Sequence, residues 1–503
     1  MISRRALLAG LGASFAIPAL AAENLIVSEA PFSADMVIEE ARRLAASAYQ
    51  PVPLIPQEWL DLTYDEFSHI WFDPRNGIWL DEDKAVKVDL FTAGLYVPRP
   101  AQINIVEGGT AKTLAYDISL FETTDNFPTL PTGDTMGYSG FRLRAELNAK
   151  DIFEEFMVFQ GASYFRAIAN KQNYGLSARG LALRTGDPNG EEFPDFTKFW
   201  IEEAAPDATT FVVHALLDGP SASGAFQFEI THGQPTQVEV KATLFPRVDL
   251  MHVGIGTLTS MFFFDETNRH RFDDFRPAVH DSEGLMIVNG NGERIWRPLA
   301  NPKGVEVSAF GDNNPRGFGL MQRNRDPEDY ADLQANYENR PSLWITPHEG
   351  WGRGAVELVE IPADKEIYDN IVAYWRPTEA LKAGSEHAFN YHMAWGNMPA
   401  DLPDVAHVTN TRIGKGFDQI KDVVAIDFAD HAAFPDDHNE IQTVITSNAG
   451  TVSEGILQRN PGTGGLRLAF SLLPEEATSV ELRAQLFLNE KPISEVWLYR
   501  WTA

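Results

Sequence analysis

A stretch dense in titratable side chains lies between two segments with strand-like hydrophobicity, within residues 261–302. The apolar run ends at Phe264, and a charged run follows it. The titratable residues of interest in this run are Asp273, Asp274, Arg276, His280, Asp281 and Glu283. Carboxylates held between two sheet elements suit acid–base chemistry in an all-β enzyme, but they also suit a solvated loop. The residue types of this stretch leave both interpretations open.

Motifs elsewhere in the chain narrow the chemistry. The sequence has no P-loop, no HExxH zinc motif, no GxSxG nucleophile motif and no cysteine. A second polar cluster comprises His431, Asp436, Asp437 and His438. Its spacing matches no common metal site, so we expect a solvated loop there. We therefore expect neither a metal nor another cofactor. Carboxylates, arginines and aromatics remain, and these suit glycosidic bond cleavage, which needs two carboxyl groups and surfaces that hold sugar rings.

The charge of the chain excludes some partners. The formal net charge is −30, which disfavours nucleic acid because phosphates require basic patches. The same charge disfavours docking on anionic lipid, whereas a neutral ligand is compatible with it. The 71 acidic residues are too many for composition alone to select a catalytic pair.

The N-terminus has the pattern of an export signal. Paired arginines at positions 4 and 5 precede an apolar run, and Ala19-Leu20-Ala21 forms a small-residue cleavage site. The paired arginines are typical of a twin-arginine signal, which exports folded proteins. The apolar run is too short to span a membrane. We therefore expect a signal peptide at 1–21 and a mature chain in the periplasm without membrane insertion.

The elements that must position these residues are strands. A helical pattern at 33–51 is followed, from residue 76, by short alternating runs rich in Val, Phe, Tyr and Ile. The alternating segment LMIVNGNGERIWRP, residues 285–298, predicts a β-hairpin. We expect an all-β protein with a large sandwich at 22–398, a linker at 399–404 and an immunoglobulin-like sandwich at 405–503.

Long blocks of the chain resemble the periplasmic glucan biosynthesis proteins G and D (OpgG/OpgD, also called MdoG/MdoD). The blocks are GYSGFRLRAELN (137–148), FQGASYFRAIANKQNYGLSARGLAL (159–183), GEEFPDFTKFW (190–200), LTSMFFF (258–264), DDFRPAVHDSEGL (273–285), NGNGERIWRPL (289–299), NPRGFGLMQRNRD (314–326) and YENRPSLWITPHEGWGRGAVELVEIPADKEIYDNIVAYWRP (337–377). The resemblance implies a large N-terminal sandwich of the galactose-mutarotase kind and a small immunoglobulin-like sandwich. It also implies a periplasmic role in making osmoregulated β-linked glucans.

The resemblance also implies catalytic residues. The family includes inverting endo-β-1,2-glucanases and relatives that transfer the cleaved chain. By motif, the general acid is Asp369 and the general base, acting through water, is Asp281. The alternatives are a turn cap for Asp281 and an Asx-turn for Asp369.

Other residues are candidates to support these two. We expect Arg276 and His280 to keep Asp281 ionised, with His280 as an orienting residue. We expect Tyr368, Tyr374 and Trp375 to provide apolar surroundings that raise the pKa of Asp369. Candidates to hydrogen-bond sugar hydroxyls, with loop carbonyls as alternative partners, are Arg166, Arg179, Arg276 and Arg340. Candidates to stack on sugar rings, with core packing as the alternative, are Tyr337, Trp344 and Trp351.

Two functions from different classes follow. The first is an enzyme that cuts or transfers a β-1,2-glucan backbone, as an inverting endo-glucanase or a transglycosylase. The second is a non-catalytic factor that binds and guides the nascent glucan. The expected partner is a β-glucan oligosaccharide or polysaccharide, and the membrane glucan synthase machinery is a further candidate.

Overall fold

The computed structural model describes residues 25–348 and 350–503, so the predicted export signal lies outside the described residues. The first strands are β1 (Ile26–Pro31), β2 (Ile70–Phe72), β3 (Lys87–Thr92), β4 (Gln102–Glu107), β5 (Thr110–Leu114), β6 (Phe121–Thr123), β7 (Tyr138–Ala145), β8 (Glu154–Gln160), β9 (Tyr164–Ala167), β10 (Ser177–Arg179), β11 (Ala182–Leu183) and β12 (Asp195–Glu202). The next are β13 (Thr210–Asp218), β14 (Ala222–Thr231), β15 (Thr236–Pro246), β16 (Val253–Ser260), β17 (Phe262–Phe264), β18 (Val279–His280), β19 (Gly284–Val288), β20 (Arg294–Pro298), β21 (Glu306–Asn313), β22 (Gly317–Met321), β23 (Ser342–Pro347), β24 (Arg353–Glu360), β25 (Ile371–Pro377) and β26 (His387–Gly396). The last are β27 (Val408–Lys415), β28 (Asp422–Phe428), β29 (Gln442–Ser447), β30 (Thr451–Val452), β31 (Ile456–Arg459), β32 (Leu466–Leu473), β33 (Ser479–Leu488), β34 (Lys491–Pro492) and β35 (Val496–Thr502).

Helices are few and short. The α-helices are α1 (Ala34–Ala45), α2 (Gln57–Leu60) and α3 (Tyr64–Phe67). Single 3₁₀ turns occur at Pro74–Asn76, Ile118–Leu120, Arg269–Arg271, Pro327–Asp329, Tyr337–Asn339 and His438–Glu440. The predicted first helix is present but ends at Ala45, and its buried residues Val37 and Ala41 pack against β13, β14 and β15. Within the described ranges, no helix has the length and apolar character needed to cross a membrane.

Two large sheets form the main body. One has the strand order β1-β5-β4-β12-β13-β14-β15-β26-β23-β22-β19-β20-β35-β33-β29, and the other has the order β21-β24-β25-β16-β10-β9-β8-β7-β3. Aromatic side chains of both sheets meet in the core between them. Phe159 of β8 packs against Phe199 of β12 and Phe228 of β14, with ring centroids 5.7 and 5.2 Å apart. The predicted all-β class with sandwich packing is confirmed.

The C-terminal strands form a smaller sandwich that shares a sheet with the main body. Strands β27, β28, β30, β31 and β32 make one layer. Its hydrophobic core also contains residues of β33 and β35, together with side chains of β19 and β20. Strand β35 pairs in parallel with β20 through Ile295↔Val496 and Trp296↔Trp497. The predicted linker at 399–404 separates the strand sets along the sequence, but one sheet and one core cross that boundary in space.

The predicted hairpin is confirmed, because β19 and β20 pair from Gly284↔Pro298 to Val288↔Arg294. Gly292 in its turn has a φ of 91°, a conformation that favours glycine. Alternation of apolar and polar residues is typical of strands with one buried face, yet every residue of both strands is buried. The reason is that Leu285 faces the main core while its neighbour Met286 faces the core of the C-terminal sandwich.

Candidate functional site

A cavity of about 380 Å³ beside β8, β9 and β10 is lined by both Asp281 and Asp369. Its other lining residues are Val158, Gln160, Tyr164, Phe165, Arg166, Tyr174, Gly175, Ser177, Met261, Arg340, Glu366 and Ile367. The structure therefore brings together the two carboxyl groups that the family motifs single out. A cavity with several convergent polar groups is the usual form of a small-ligand site.

Strand β17 and the residue before it place both carboxyl groups. The backbone N–H of Asp281 donates to the carbonyl of Met261 at 2.8 Å. The next residue, Phe262, exchanges two hydrogen bonds with the side chain of Asn370: its N–H donates at 2.8 Å, and its carbonyl accepts at 2.9 Å. Because Asn370 follows Asp369 directly, adjacent residues of one segment fix the positions of both aspartates.

Asp281 is buried and accepts a hydrogen bond from Nη1 of Arg340. Burial raises the pKa of Asp281 to about 6, while the positive charge of Arg340 opposes the rise and the negative charge of Asp369 adds to it. A carboxyl group with this pKa is largely ionised at neutral pH. It is therefore suited to accept a proton.

Asp369 has a different environment. It retains solvent access within the cavity, yet the protein around it desolvates the carboxyl group and raises its pKa. The charges of Arg166, Arg179 and Arg340 oppose this rise from a distance. Among the described residues, none donates a hydrogen bond to the Asp369 carboxylate. Burial without such a donor raises the pKa of Asp369, and a carboxyl group with a raised pKa is suited to donate a proton.

Arg340 is held in place from three directions. Its guanidinium lies over the ring of Tyr337 at 4.3 Å, and Nη2 donates to the carbonyl of Ala335 at 3.3 Å. Gly175 lies so close that a β-carbon there would be 3.0 Å from Cβ of Arg340. Tyr337, a candidate for sugar stacking, is buried and supports Arg340 through this cation–π contact.

Arg276 and His280 do not hold Asp281 in the expected way. Arg276 forms ion pairs with three other carboxylates, at 2.8 Å to Asp274, 2.9 Å to Asp332 and 2.7 Å to Glu366. Burial lowers the pKa of His280 to about 4, so its ring is neutral at physiological pH and supplies no charge. The expectation was wrong because Arg276 is engaged by three other carboxylates and the ring of His280 is neutral, whereas Arg340 approaches Asp281 from a distant segment.

His280 does have the orienting environment expected of it. Its Nδ1 lies 2.8 Å from Oε1 of Gln322, and its ring stacks on Phe262 with centroids 5.6 Å apart. Gln322 in turn donates through Nε2 to the carbonyl of His280 at 2.9 Å. These contacts fix the backbone immediately before Asp281.

The remaining arginines have different positions. Arg166 lines the cavity, is exposed and lies over the ring of Tyr174 at 5.7 Å. It forms no ion pair or hydrogen bond within residues 25–348 and 350–503, so its guanidinium is available to a ligand. Arg179 is buried and forms an ion pair with Glu191 at 2.5 Å. Its guanidinium lies 4.8 Å from the ring centroid of Tyr164, which lines the cavity.

The other aromatic candidates lie outside this cavity. Trp351 packs in the main core against Trp375 and Tyr391, with ring centroids 6.3 and 5.8 Å away. Trp344 is buried in the core of the C-terminal sandwich and also lines a second cavity. Tyr368 is half exposed and is not among the lining residues. Tyr374 and Trp375 are buried side chains of β25 and do not line the cavity either. Other parts of the protein therefore desolvate Asp369.

Several cavity residues were not singled out from the sequence. Glu366 brings a third carboxyl group into the cavity, and Tyr164, Gln160 and Ser177 contribute polar groups. All of them lie inside the blocks that resemble the glucan biosynthesis family. Their proximity to Arg166 and Asp369 along the chain was the available signal, because Glu366 precedes Asp369 by three positions.

Comparisons with known proteins agree with the sequence blocks. The sequence profile described as "Periplasmic glucan biosynthesis protein, MdoG" matches residues 32–501. A protein named Glucans biosynthesis protein G from Vibrio cholerae is 47% identical over 94% of this chain and 87% of its own length. The protein of the same name from Shewanella sp. (strain ANA-3) is 46% identical over the same shares of the two chains.

Solved structures with a distant likeness to this chain include polysaccharide-degrading enzymes. A polysaccharide lyase aligns with a TM-score of 0.23 and 12% identity, covering 73% of this chain and 44% of that chain. The sequence matches, by contrast, extend over nearly all of this chain and most of the relatives. The chain belongs to the family of the periplasmic glucan biosynthesis protein MdoG.

Proposed function

We propose that the protein acts on the β-1,2-glucan backbone in periplasmic glucan biosynthesis, as an inverting endo-glucanase or a transglycosylase. Membership of the family supports the role in glucan biosynthesis and the periplasmic location. The catalytic step is supported by one observation. Two carboxyl groups with raised pKa values line one cavity, and only Asp281 receives a hydrogen bond from a cation.

The proposed reaction assigns each group one proton transfer. Asp369 donates its proton to the glycosidic oxygen as the bond to the anomeric carbon breaks. A water molecule attacks the anomeric carbon from the opposite face, and its proton passes to Asp281. In a transglycosylase, a sugar hydroxyl takes the place of this water. Arg340 stabilises the ionised form of Asp281 before the transfer.

Arg166 and the polar lining are proposed to hold the sugar. Sugar hydroxyls require donors that are not already bonded, and Arg166 offers such donors inside the cavity. Gln160 and Ser177 add neutral polar groups nearby. This arrangement favours a neutral polyhydroxylated ligand over an anion, since Asp281 and Glu366 balance the cationic charge of Arg166 and Arg340 while Asp369 is protonated.

The test is turnover of linear β-1,2-glucan by the purified mature protein. We expect release of reducing ends or formation of cyclic products, and we expect Asp369→Asn and Asp281→Asn each to lower the rate at least a hundredfold. Separating linear from cyclic products distinguishes hydrolysis from transfer. The matched control is Asp364→Asn, an exposed carboxyl group of the same segment that does not line the cavity.

Glucan binding without any product would instead support the non-catalytic guiding factor. Full activity of the Asp369→Asn chain would contradict the catalytic assignment. Thermal unfolding of each variant checks that lost activity does not reflect a lost fold.

A further inference from the structure

Trp344 points to the face of the large sheet that is turned away from the main core. Side chains alternate along β23, so Leu343 and Ile345 enter the core between the two large sheets. Ser342, Trp344 and Thr346 point to the other face, where they line a second cavity of about 460 Å³. This cavity is separate from the one that contains Asp281 and Asp369, and the proposed reaction makes no use of it.

The ring of Trp344 lies flat on the neighbouring strand β22. A β-carbon on Gly317 would approach Cζ2 of Trp344 to 2.4 Å, and one on Gly319 would approach Cε3 to 2.9 Å. Two glycines at alternate positions of β22 therefore leave the space that the indole occupies. Trp344 is 7% exposed and packs in the core of the C-terminal sandwich, so it forms the floor of the cavity and offers a small apolar patch to a ligand.

Neutral hydrogen-bonding groups stand beside this floor. Thr346 and His392 are paired across β23 and β26, and Nε2 of His392 lies 3.2 Å from Oε1 of Gln237 on β15. Ala394 separates Gln237 from Trp344 in the same row of the sheet. The row therefore places an amide, an imidazole and a hydroxyl next to an indole.

This set of groups selects a chemical class of ligand. A sugar ring has an apolar face that packs on an aromatic ring and hydroxyls at its edge that bind amides and imidazoles. One cation, Arg316, and one anion, Asp401, also line the cavity, so its net charge favours neither anions nor cations. Met398 adds a flexible apolar contact from the segment that follows β26.

One segment of chain borders both cavities. Gln172 donates through Nε2 to Oδ1 of Asn397 at 2.9 Å, and Asn397 lines the second cavity. Tyr174 and Gly175, two and three residues later, line the first cavity. A glucan that leaves the reacting region thus has a second sugar-compatible surface within the same part of the molecule.

We infer that the cavity floored by Trp344 is a second glucan-binding site, which holds sugar units that do not react. The inference rests on the proposed function for the identity of the ligand. The site would retain a long glucan on the protein between reaction steps, in the way that added contact points raise the effective concentration of a linked ligand.

The experiment measures binding of a short linear β-1,2-linked glucose oligosaccharide by calorimetry. The mature chain carrying Asp369→Asn is used so that the probe is not consumed. We expect two binding events per chain. Adding Gln237→Ala and His392→Ala should weaken one event roughly tenfold or more, because two hydrogen-bonding groups are lost, and should leave the other event unchanged. The matched control is Gln227→Ala, which alters a glutamine on β14 that does not line the second cavity.

The outcomes separate this inference from the proposed function. A wild-type chain that turns over glucan but shows one binding event, insensitive to Gln237→Ala and His392→Ala, would overturn the second site alone. Two binding events with no turnover would support the second site and contradict the proposed reaction. Absence of any binding would overturn the second site as well.

Discussion

Two aspartates in one cavity are distinguished by a single hydrogen bond. Arg340 donates to Asp281, whereas no described residue donates to Asp369. Desolvation raises the pKa of both carboxyl groups, but a bonded cation favours the ionised form of only one. Opposite protonation states of two neighbouring carboxyl groups are what an acid and a base require.

Replacing Arg340 by methionine should move the acidic limb of the pH–rate profile. Arg340 lowers the pKa of Asp281, so its loss should raise that pKa above about 6. The base is active when ionised, and we therefore expect the midpoint of the acidic limb of kcat/KM to rise by roughly 1–3 pH units. The measurement is kcat/KM for glucan between pH 4 and pH 9.

The matched control for this change is Arg184→Met, because Arg184 is half exposed and does not line the cavity. An unchanged midpoint in Arg340→Met would show that another group sets the acidic limb. A lower rate with the same midpoint would assign Arg340 to substrate binding alone.

Replacing Asp369 by asparagine should stabilise the fold in a pH-dependent way. The folded pKa of Asp369 is raised above its unfolded value, so the stability contribution of its protonated form is complete below about pH 4 and is lost as pH rises through the folded pKa. Asparagine does not titrate. We expect Asp369→Asn to unfold at a higher temperature than the wild type at pH 8, and the difference to shrink or vanish at pH 4. Equal differences at both pH values would contradict the raised pKa.

At the scale of elements, the site depends on segments that are distant in sequence. Asp281 follows β18, and its backbone N–H bonds to Met261. Asp369 precedes β25, and its neighbour Asn370 bonds to Phe262. The short hairpin of β19 and β20 could be predicted because its turn chemistry is local. The partner of Asp281 could not, because Arg340 is 59 positions away and only tertiary structure brings it close.

The same distinction explains the positions of Trp351 and Arg276. Trp351 has the residue type of a sugar platform, but burial in the core is decided by sheet packing that a single sequence does not show. Arg276 was expected beside Asp281 because it is near in sequence. It instead joins Asp332 and Glu366, which belong to two other segments bordering the site.

Substituting alanine for Gly175 tests how closely the elements must fit. The new β-carbon would lie 3.0 Å from Cβ and 3.3 Å from Cδ of Arg340, so the arginine must move by a few tenths of an ångström. Because Arg340 holds Asp281, we expect kcat/KM for glucan to fall several-fold, with little change in thermal stability. The control is Gly311→Ala on β21, where a β-carbon meets open space. Equal activity of both variants would show that Arg340 tolerates the displacement.

At the scale of the whole molecule, the C-terminal sandwich is joined to the main body by a buried ionic cluster. Glu495, just before β35, pairs with Arg294 at 2.6 Å and with Arg323 at 2.7 Å. Its Oε2 also accepts the N–H of Val408 at 2.8 Å. The guanidinium of Arg323 lies 3.5 Å from the ring centroid of Trp296. The main body and the C-terminal sandwich thus share a sheet, a core and this cluster. We therefore predict that they unfold in one transition.

Changing Glu495 to glutamine should destabilise the whole chain. Two buried arginines would lose their counter-charge, which costs about 3–5 kcal/mol of unfolding free energy. Burial raises the pKa of Glu495, but Arg323 and Arg294 outweigh burial and hold it below its usual value. The stability from its ionised form is therefore present above about pH 4 and lost as pH falls below that. We expect the loss of unfolding free energy in Glu495→Gln, measured by urea unfolding, to be largest at pH 7 and to shrink as the solution is acidified.

The control for this change is Glu476→Gln, which alters an exposed carboxyl group. If hydrogen exchange showed that only the C-terminal strands were destabilised, the single transition would be contradicted.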